Sequence, residues 1–230
     1  MLEAIKLSAE RSGRSPESIT LVAVTKTRPI EVLEEYATVA RESRIPVVFG
    51  ENYIQEIRDK EHDLPEWSEM HMIGPLQSNK IRDAVEMCDV IESIHSTKTI
   101  TVTAKEAARV GKTQRIMLQV NIGRDERKSG FLPEEIEQAV ALCAESHNEI
   151  ALEGLMTILP YHQDPEMSRP HFKAMGEMRE RLLRSGAGAN FVNGEILLSM
   201  GMSDDFTVAI EEGADIVRVG TALFGERARL

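Results

Sequence analysis

The most constraining feature of this sequence is a regular alternation of short apolar, β-branched runs with longer amphipathic segments. Eight runs have the composition of buried β-strands: residues 20–25, 46–49, 70–73, 89–94, 115–122, 150–158, 195–200 and 215–219. Strands that alternate with helices along a chain form parallel sheets. Eight such repeats in 230 residues predict an α/β fold in which residues 1–230 form a single (β/α)8 TIM barrel. A doubly wound open sheet is the alternative, because periodicity does not reveal whether a sheet closes.

The segments between these runs carry helical signals at residues 31–40, 53–61, 79–87, 97–109, 134–144, 167–183 and 204–212. The clearest pattern follows Pro133, which is predicted to open a helix with one apolar stripe over residues 136–143. Residues 97–109 are ambiguous, because apolar side chains at 100, 102 and 104 alternate as in a strand. Their place between two strands favours a helix.

Charge and composition exclude several classes of protein. The chain has 27 Lys and Arg residues against 38 Asp and Glu residues, a net charge of −11, which argues against nucleic acid or an anionic membrane as partner. No apolar run approaches the roughly 18 residues of a membrane span, and the N-terminus lacks the apolar core of a signal peptide. Cys88 and Cys143 lie in apolar segments without metal-ligand spacing and are expected to be reduced. We therefore expect a cytoplasmic protein.

Polar residues are concentrated where the predicted strands end. The positions concerned are Lys26, residues 50–52, His71, Gly74, Gln119, Asn121, Met156, Thr157, residues 199–203 and residues 218–221. In (β/α)8 barrels the active site forms at the carboxyl ends of the strands. The functional site is therefore predicted at this end of the barrel.

Lys26 directly follows the first predicted strand. Its stem should run along the barrel interior, because residues 21–24 are all apolar. Desolvation lowers the pKa of an amine and makes it nucleophilic toward aldehydes. The alternative is a lysine that extends past the strand end into solvent.

The loops after strands seven and eight have the composition of a phosphate site. Gly201 allows backbone N–H groups to approach an anion, and Ser203 is predicted to cap the next helix. Gly220 and Thr221 form a second turn of small residues, and such paired loops often hold phosphate in barrels. Against this, the carboxylates of residues 204 and 205 would repel a phosphate unless they point outward. Ordinary turn and capping chemistry is the alternative.

Arg218 lies within the eighth predicted strand, between two valines. A buried guanidinium needs an acceptor or a carboxylate, so a structural ion pair is one interpretation. Taken with the amine of Lys26 and the phosphate loops, an inward arginine indicates a site for a phosphorylated aldehyde. The six histidines show no metal-ligand spacing, and no metal site is predicted.

Eight motifs in order resemble a known family. They are LVAVTKT (21–27), FGENYIQ (49–55), HMIGPLQSNK (71–80), LQVN (118–121), KSGF (128–131), GLMTI (154–158), LSMGMSDDF (198–206) and RVGTALFG (218–225). By these motifs the chain resembles the YggS/PROSC family, the pyridoxal phosphate homeostasis proteins. The match extends from the first strand nearly to the C-terminus.

The resemblance implies a barrel like the N-terminal domain of alanine racemase, with pyridoxal 5′-phosphate (PLP) bound as an aldimine on Lys26. It implies that the pyridine nitrogen faces Arg218, that Asn52 and Met156 surround the ring, and that Lys128 is a candidate second contact. The residues that it assigns to the phosphate are Ser199, Met200, Gly201, Gly220 and Thr221.

The chemistry favours a carrier over an enzyme. A permanently charged Arg218 keeps the pyridine nitrogen unprotonated, which weakens carbanion chemistry. A racemase needs proton-transfer groups on both faces of its substrate, and alanine racemase brings its tyrosine from a second domain that 230 residues do not accommodate. We therefore predict no catalytic residues. The expected function is reversible storage of PLP, or its delivery to apo PLP-dependent enzymes, by a monomer or weak dimer. The alternatives are a weak amino-acid racemase or other PLP-dependent enzyme, and a phosphosugar-metabolising barrel.

Overall fold

The computed structural model describes residues 1–226, which form a closed barrel of eight parallel strands in chain order. The strands are β1 (Thr20–Val24), β2 (Val48–Glu51), β3 (Glu69–Met72), β4 (Val90–Ile94), β5 (Gln114–Gln119), β6 (Ile150–Met156), β7 (Leu197–Ser199) and β8 (Ile216–Val219). Each predicted run overlaps one strand. β1 also pairs with β8, so the sheet closes on itself. The predicted TIM barrel is therefore confirmed, and the alternative of an open sheet is wrong.

The α-helices are α1 (Leu2–Arg11), α2 (Ile30–Glu42), α3 (Ile54–Lys60), α4 (Ile81–Met87), α5 (Thr97–Val110), α6 (Ile136–Glu145), α7 (Arg169–Arg184), α8 (Phe206–Glu211) and α9 (Thr221–Phe224). The ambiguous segment 97–109 is helical because its ends are well capped. Ser96 and Thr99 form a capping box, and Gly111 ends the helix with a positive φ. Within residues 1–226, no helix is long and apolar enough to cross a membrane.

Four helices, α4, α6, α7 and α8, begin two residues later than predicted, and the starts of α6 and α8 have a visible cause. α6 begins at Ile136, because residues 133–135 form a turn in which the Leu132 amide donates to the Glu135 carboxylate. α8 begins at Phe206, with Asp205 rather than Ser203 at its N-cap position. Asp205 is fixed there by its Oδ1, which accepts from the Met202 amide at 2.7 Å.

The alternation of side chains along the strands divides the core into two layers. Inward side chains meet inside the barrel in a small cluster formed by Val22, Val48, Val90, Met117, Met156 and Ile216. Outward side chains such as Phe49, Ile91 and Leu198 pack between the strands and the helices. The interior also holds polar side chains of the same parity, and these belong to the site described below. The shortest pairing in the barrel joins β7 to β8 through one residue pair, Ser199 with Ile216.

Candidate functional site

A cavity of about 320 Å³ opens at the carboxyl end of the barrel, where the loops after β1, β2, β3, β6, β7 and β8 meet. Five residues predicted from the sequence line this cavity: Lys26, Asn52, Arg218, Gly220 and Thr221. They come from opposite ends of the chain, and barrel closure brings them together because β1 lies between β2 and β8. The structure thus forms one site from the predicted amine, the predicted arginine and the second small-residue turn.

The other four predicted residues lie behind this cavity. Met156 is buried in the inner cluster, and Met200 is buried in the outer core. Ser199 is also fully buried. Gly201 has a φ of +93°, and a Cβ there would collide with Ala209 of α8. These residues support the loops of the site from below, without lining the cavity.

Lys26 lies two residues after the end of β1. Val24 and Lys26 both line the cavity, whereas the side chain of Thr25 points to the opposite side, toward Glu51. A tight turn follows, in which the Arg28 amide donates to the Thr25 carbonyl at 3.0 Å. Strand parity and this turn together bring the Lys26 side chain to the cavity wall.

Arg218 is held rigidly at the bottom of the cavity and is only 3% exposed. Its Nη1 donates to Ser199 Oγ at 2.5 Å, and its Nη2 donates to the Thr157 carbonyl at 2.6 Å. Glu92 Oε2 lies 3.8 Å from Nη1. Burial lowers the pKa of Arg218 and Glu92 opposes this change, yet a guanidinium remains protonated at physiological pH. Arg218 therefore lies beside a buried carboxylate and also lines the cavity, while its predicted contact with a ring nitrogen stays a prediction.

Glu92 connects Arg218 to a chain of charged side chains inside the barrel. Its Oε2 accepts from Ser199 Oγ at 2.5 Å, and its Oε1 lies 2.7 Å from His71 Nδ1. His71 Nε2 in turn lies 3.5 Å from Glu69. Burial alone would lower the pKa of His71, but the two carboxylates outweigh it and raise that pKa to about 9. His71 is thus a buried cation paired with Glu92, whose own pKa is lowered by His71 despite burial.

The elevated pKa of His71 predicts a stability that declines in alkaline solution. Its pKa rises from 6.5 in the unfolded chain to about 9 in the fold, so the added stability is fully present below pH 6.5 and is lost as pH rises through 9. Urea unfolding between pH 6 and pH 10, at about one-unit steps, measures this decline. His71→Gln should flatten it, whereas His147→Gln on the exposed surface should not. Equal slopes in wild type and His71→Gln would contradict the assignment.

The loops after β7 and β8 are joined by Ser203. Its Oγ accepts hydrogen bonds from the backbone amides of Gly220, at 3.2 Å, and Ala222, at 3.3 Å. Asp205 points into the protein, where it accepts from Ser168 Oγ at 2.9 Å, but Asp204 lines the cavity. Among the described residues that line it, Lys26, Arg28 and Arg218 are cationic, so the lining has an excess of positive charge.

Several site residues were missed by the sequence analysis. Arg28 and Tyr161 line the cavity, and the side chain of Tyr161 is exposed. Glu92 could have been found from its parity with Val90 in the fourth predicted strand, whereas Arg28 follows a turn, where strand parity no longer applies. Lys128, the candidate second contact, donates to the carbonyl of the cavity residue Ile158 at 3.1 Å without lining the cavity itself.

Comparison with known proteins identifies the family. The chain matches the family model of the alanine racemase N-terminal domain over residues 7–228. A pyridoxal phosphate homeostasis protein of Aquifex aeolicus is 39% identical over 228 residues, which cover 99% of this chain and 95% of that protein. This chain belongs to the pyridoxal phosphate homeostasis family. The family member of Escherichia coli K12 is 34% identical over 233 residues, covering 98% of this chain and 93% of its own length.

Solved structures agree with this family assignment. PipY of Synechococcus elongatus, a 31% identical protein, superposes with a TM-score of 0.82 without PLP and 0.81 with PLP bound. The match to PipY without PLP covers 96% of this chain and 99% of PipY. The match to PipY with PLP bound covers 98% of this chain and 100% of PipY. Alanine racemase of Clostridium difficile 630 has a TM-score of 0.72 at 17% identity, and this chain covers 56% of it, which shows the shared fold. The family resemblance and the fold predicted from the motifs are confirmed.

Proposed function

We propose that this protein binds PLP reversibly through the amine of Lys26 and keeps it available in the cell, without strong catalytic activity. The observation that carries the proposal is the placement of Lys26 and the anchored Arg218 in one cavity of about 320 Å³. The relatives named as pyridoxal phosphate homeostasis proteins, and the PipY structure with PLP bound, support it.

The residues present fit a planar phosphorylated aldehyde. Lys26 supplies a primary amine, and Arg218 supplies a fixed donor that can hydrogen-bond an unprotonated ring nitrogen. The backbone at Gly220 approaches closely, since a Cβ there would lie 3.3 Å from Val24. Thr221 offers a hydroxyl beside this backbone. When bound, PLP supplies an aldehyde that condenses reversibly with amines and a ring that stabilises negative charge when its nitrogen is protonated.

Each cavity residue then has a distinct role in the proposal. Lys26 holds the aldehyde carbon, Asn52 borders the ring, and the turn at Gly220 and Thr221 receives the phosphate. The buried residues Met156, Ser199, Met200 and Gly201 contribute through the loops and through Arg218, whose guanidinium Ser199 fixes.

The same arrangement explains why we favour a carrier. Arg218 does not give up its proton at neutral pH, so it does not protonate the ring nitrogen, and charge developing on a bound amino acid is poorly stabilised. Arg218 can nevertheless orient the ring, which storage requires. Storage in the cytoplasm agrees with the two free, buried thiols of Cys88 and Cys143. The proposed recipients are apo PLP-dependent enzymes.

A weak racemase is the second candidate, and one observation favours it. Tyr161 lines the same cavity as Lys26, so a second proton-transfer group is available within one chain. Its side chain is 72% exposed, however, and such an exposed phenol is poorly positioned for proton transfer. An amino-acid racemisation assay on the PLP-loaded protein separates the candidates, because the carrier should give no turnover above a Tyr161→Phe control.

The proposal is tested by adding PLP to the purified protein and recording the visible spectrum. We expect a new band from a lysine adduct, which borohydride should fix on the peptide that contains Lys26. Mixing the loaded protein with an apo PLP-dependent enzyme should then activate that enzyme. The absence of a band would overturn the proposal and favour the phosphosugar-metabolising barrel, whereas an adduct confined to other peptides would overturn the assignment to Lys26.

A further inference from the structure

A buried lysine lies on the outer side of the barrel, directly behind Lys26. Lys60, at the end of α3, is only 8% exposed. Its Nζ lies 2.6 Å from Glu51 Oε1 and 3.2 Å from Glu56 Oε2, and it donates to the Thr25 carbonyl at 3.0 Å. We call Lys60, Glu51 and Glu56 the Lys60 cluster. None of its members lines the cavity.

The cluster contacts the chain on both sides of Lys26. On one side, Thr25 Oγ1 donates to Glu51 Oε1 at 2.8 Å, while the Thr25 carbonyl accepts from Lys60. On the other side, the Thr27 amide donates to Glu56 Oε2 at 2.5 Å. Both peptide neighbours of the reactive lysine are therefore held by one group of charged side chains.

The turn at Thr27 needs this support. Its φ is +60°, a strained left-handed conformation that β-branched residues rarely adopt. A backbone in this conformation persists only where its surroundings fix it. Here the Glu56 carboxylate supplies a charge-assisted hydrogen bond to the strained residue itself.

Stability alone is a poor explanation for the cluster. A buried ion pair pays a desolvation cost that apolar residues of similar volume avoid. Glu51 is fully buried, and its Oε2 has no hydrogen-bond partner among the described residues, an arrangement that lowers the stability of the fold. The cluster does, however, fix the backbone conformation of residues 25–27.

We propose that the Lys60 cluster positions Lys26, by fixing the backbone from which its side chain enters the cavity. The inference rests on the proposed function, because positioning matters when the Lys26 amine attacks a bound aldehyde. The cluster touches neither the cavity nor its ligand, so Lys60, Glu51 and Glu56 are positioning residues. A small displacement of a reacting group can lower a rate by up to about 100-fold.

The test compares Lys60→Met with a matched control, Lys112→Met. Lys112 is also a partly buried lysine that donates to two backbone carbonyls, Val85 at 3.0 Å and Cys88 at 2.6 Å, but it lies outside the site. Both variants should lose thermal stability. We expect Lys60→Met to slow the reaction of PLP with Lys26 by about tenfold and to change the circular dichroism of the bound PLP band. Lys112→Met should leave both unchanged.

Glu56→Gln provides a milder variant, because it keeps an acceptor for the Thr27 amide but removes the charge. It should slow the reaction in the same direction by about threefold. If Lys60→Met and Lys112→Met slow the reaction equally, or if neither changes the dichroism, the positioning role is overturned.

A second measurement needs no PLP. Amide hydrogen exchange of residues 25–28 should be slow in wild type and Lys112→Met, and faster in Lys60→Met. Failure of wild type to form a Lys26 adduct would overturn the proposed function, while faster exchange in Lys60→Met would still support positioning. Unchanged exchange in Lys60→Met would overturn positioning, whether or not PLP binds.

Discussion

Lys26→Ala should abolish the covalent adduct between this protein and PLP. The visible band should disappear, and borohydride reduction should leave the peptide that contains residue 26 unmodified. PLP should still bind weakly through Arg218 and the turn at Gly220, because these groups line the cavity independently of Lys26. We expect its dissociation constant to rise by about 100-fold, which corresponds to about 2.7 kcal/mol. Equilibrium dialysis measures this constant without relying on the band.

Two further variants make this result specific. Lys26→Arg keeps a positive charge in the cavity but lacks a condensing amine, so it should also lose the band. Lys98→Ala, on the exposed surface of α5, should keep the band unchanged. An adduct of undiminished affinity in Lys26→Ala would show that another lysine holds PLP. Mapping that adduct to Lys128 would establish the second contact that the family resemblance implies.

Glu92→Gln should destabilise the barrel more than most single substitutions. The glutamine keeps the size of the side chain but removes the negative charge between His71 and Arg218, both of which are buried cations. Leaving buried charges uncompensated costs about 3–5 kcal/mol, and we expect a loss of this size in the free energy of unfolding. Urea denaturation near pH 7 measures it.

The control for Glu92→Gln is an ion pair that is exposed to solvent. Glu134 receives two hydrogen bonds from Arg124, at 3.0 Å and 2.8 Å, on the exposed surface. Glu134→Gln should leave the free energy of unfolding close to that of wild type, because exposed pairs contribute little. If Glu92→Gln proved equally mild, the buried chain from Arg218 to His71 would not contribute to stability as the distances indicate.

The barrel was predictable because its elements follow from local periodicity, while exact helix starts depend on side-chain hydrogen bonds that periodicity does not show. Even the ambiguous residues 97–109 have their capping signals, Ser96 and Gly111, within the same segment. The start of α8 was not predictable in this way. Asp205 takes the N-cap position without a capping hydrogen bond from its side chain, because its carboxylate accepts from the Met202 amide and from Ser168, a residue 37 positions away.

Strand parity predicts which side chains point into the barrel, so this part of the candidate site was predictable. Barrel closure determines which of these side chains contact one another, and the sequence does not show those contacts. Lys26 and Arg218 both reach the cavity, as their positions along β1 and β8 predict. The inward direction of Glu92 follows from its parity with Val90, but its contact with Ser199 does not, because Ser199 is 107 residues away across the barrel interior. That contact also explains why Ser199 lies behind the cavity, since its hydroxyl bridges Glu92 and Arg218.

The side chain of Arg218 crosses the shortest pairing in the barrel. β7 and β8 share one residue pair, and the guanidinium on β8 spans this seam to bond Ser199 on β7 and the carbonyl of Thr157 beyond β6. Arg218 thus faces the cavity and also connects three neighbouring strands, β6, β7 and β8. A molecule that contacts Arg218 therefore also contacts the side chain that spans the shortest strand pairing of the barrel.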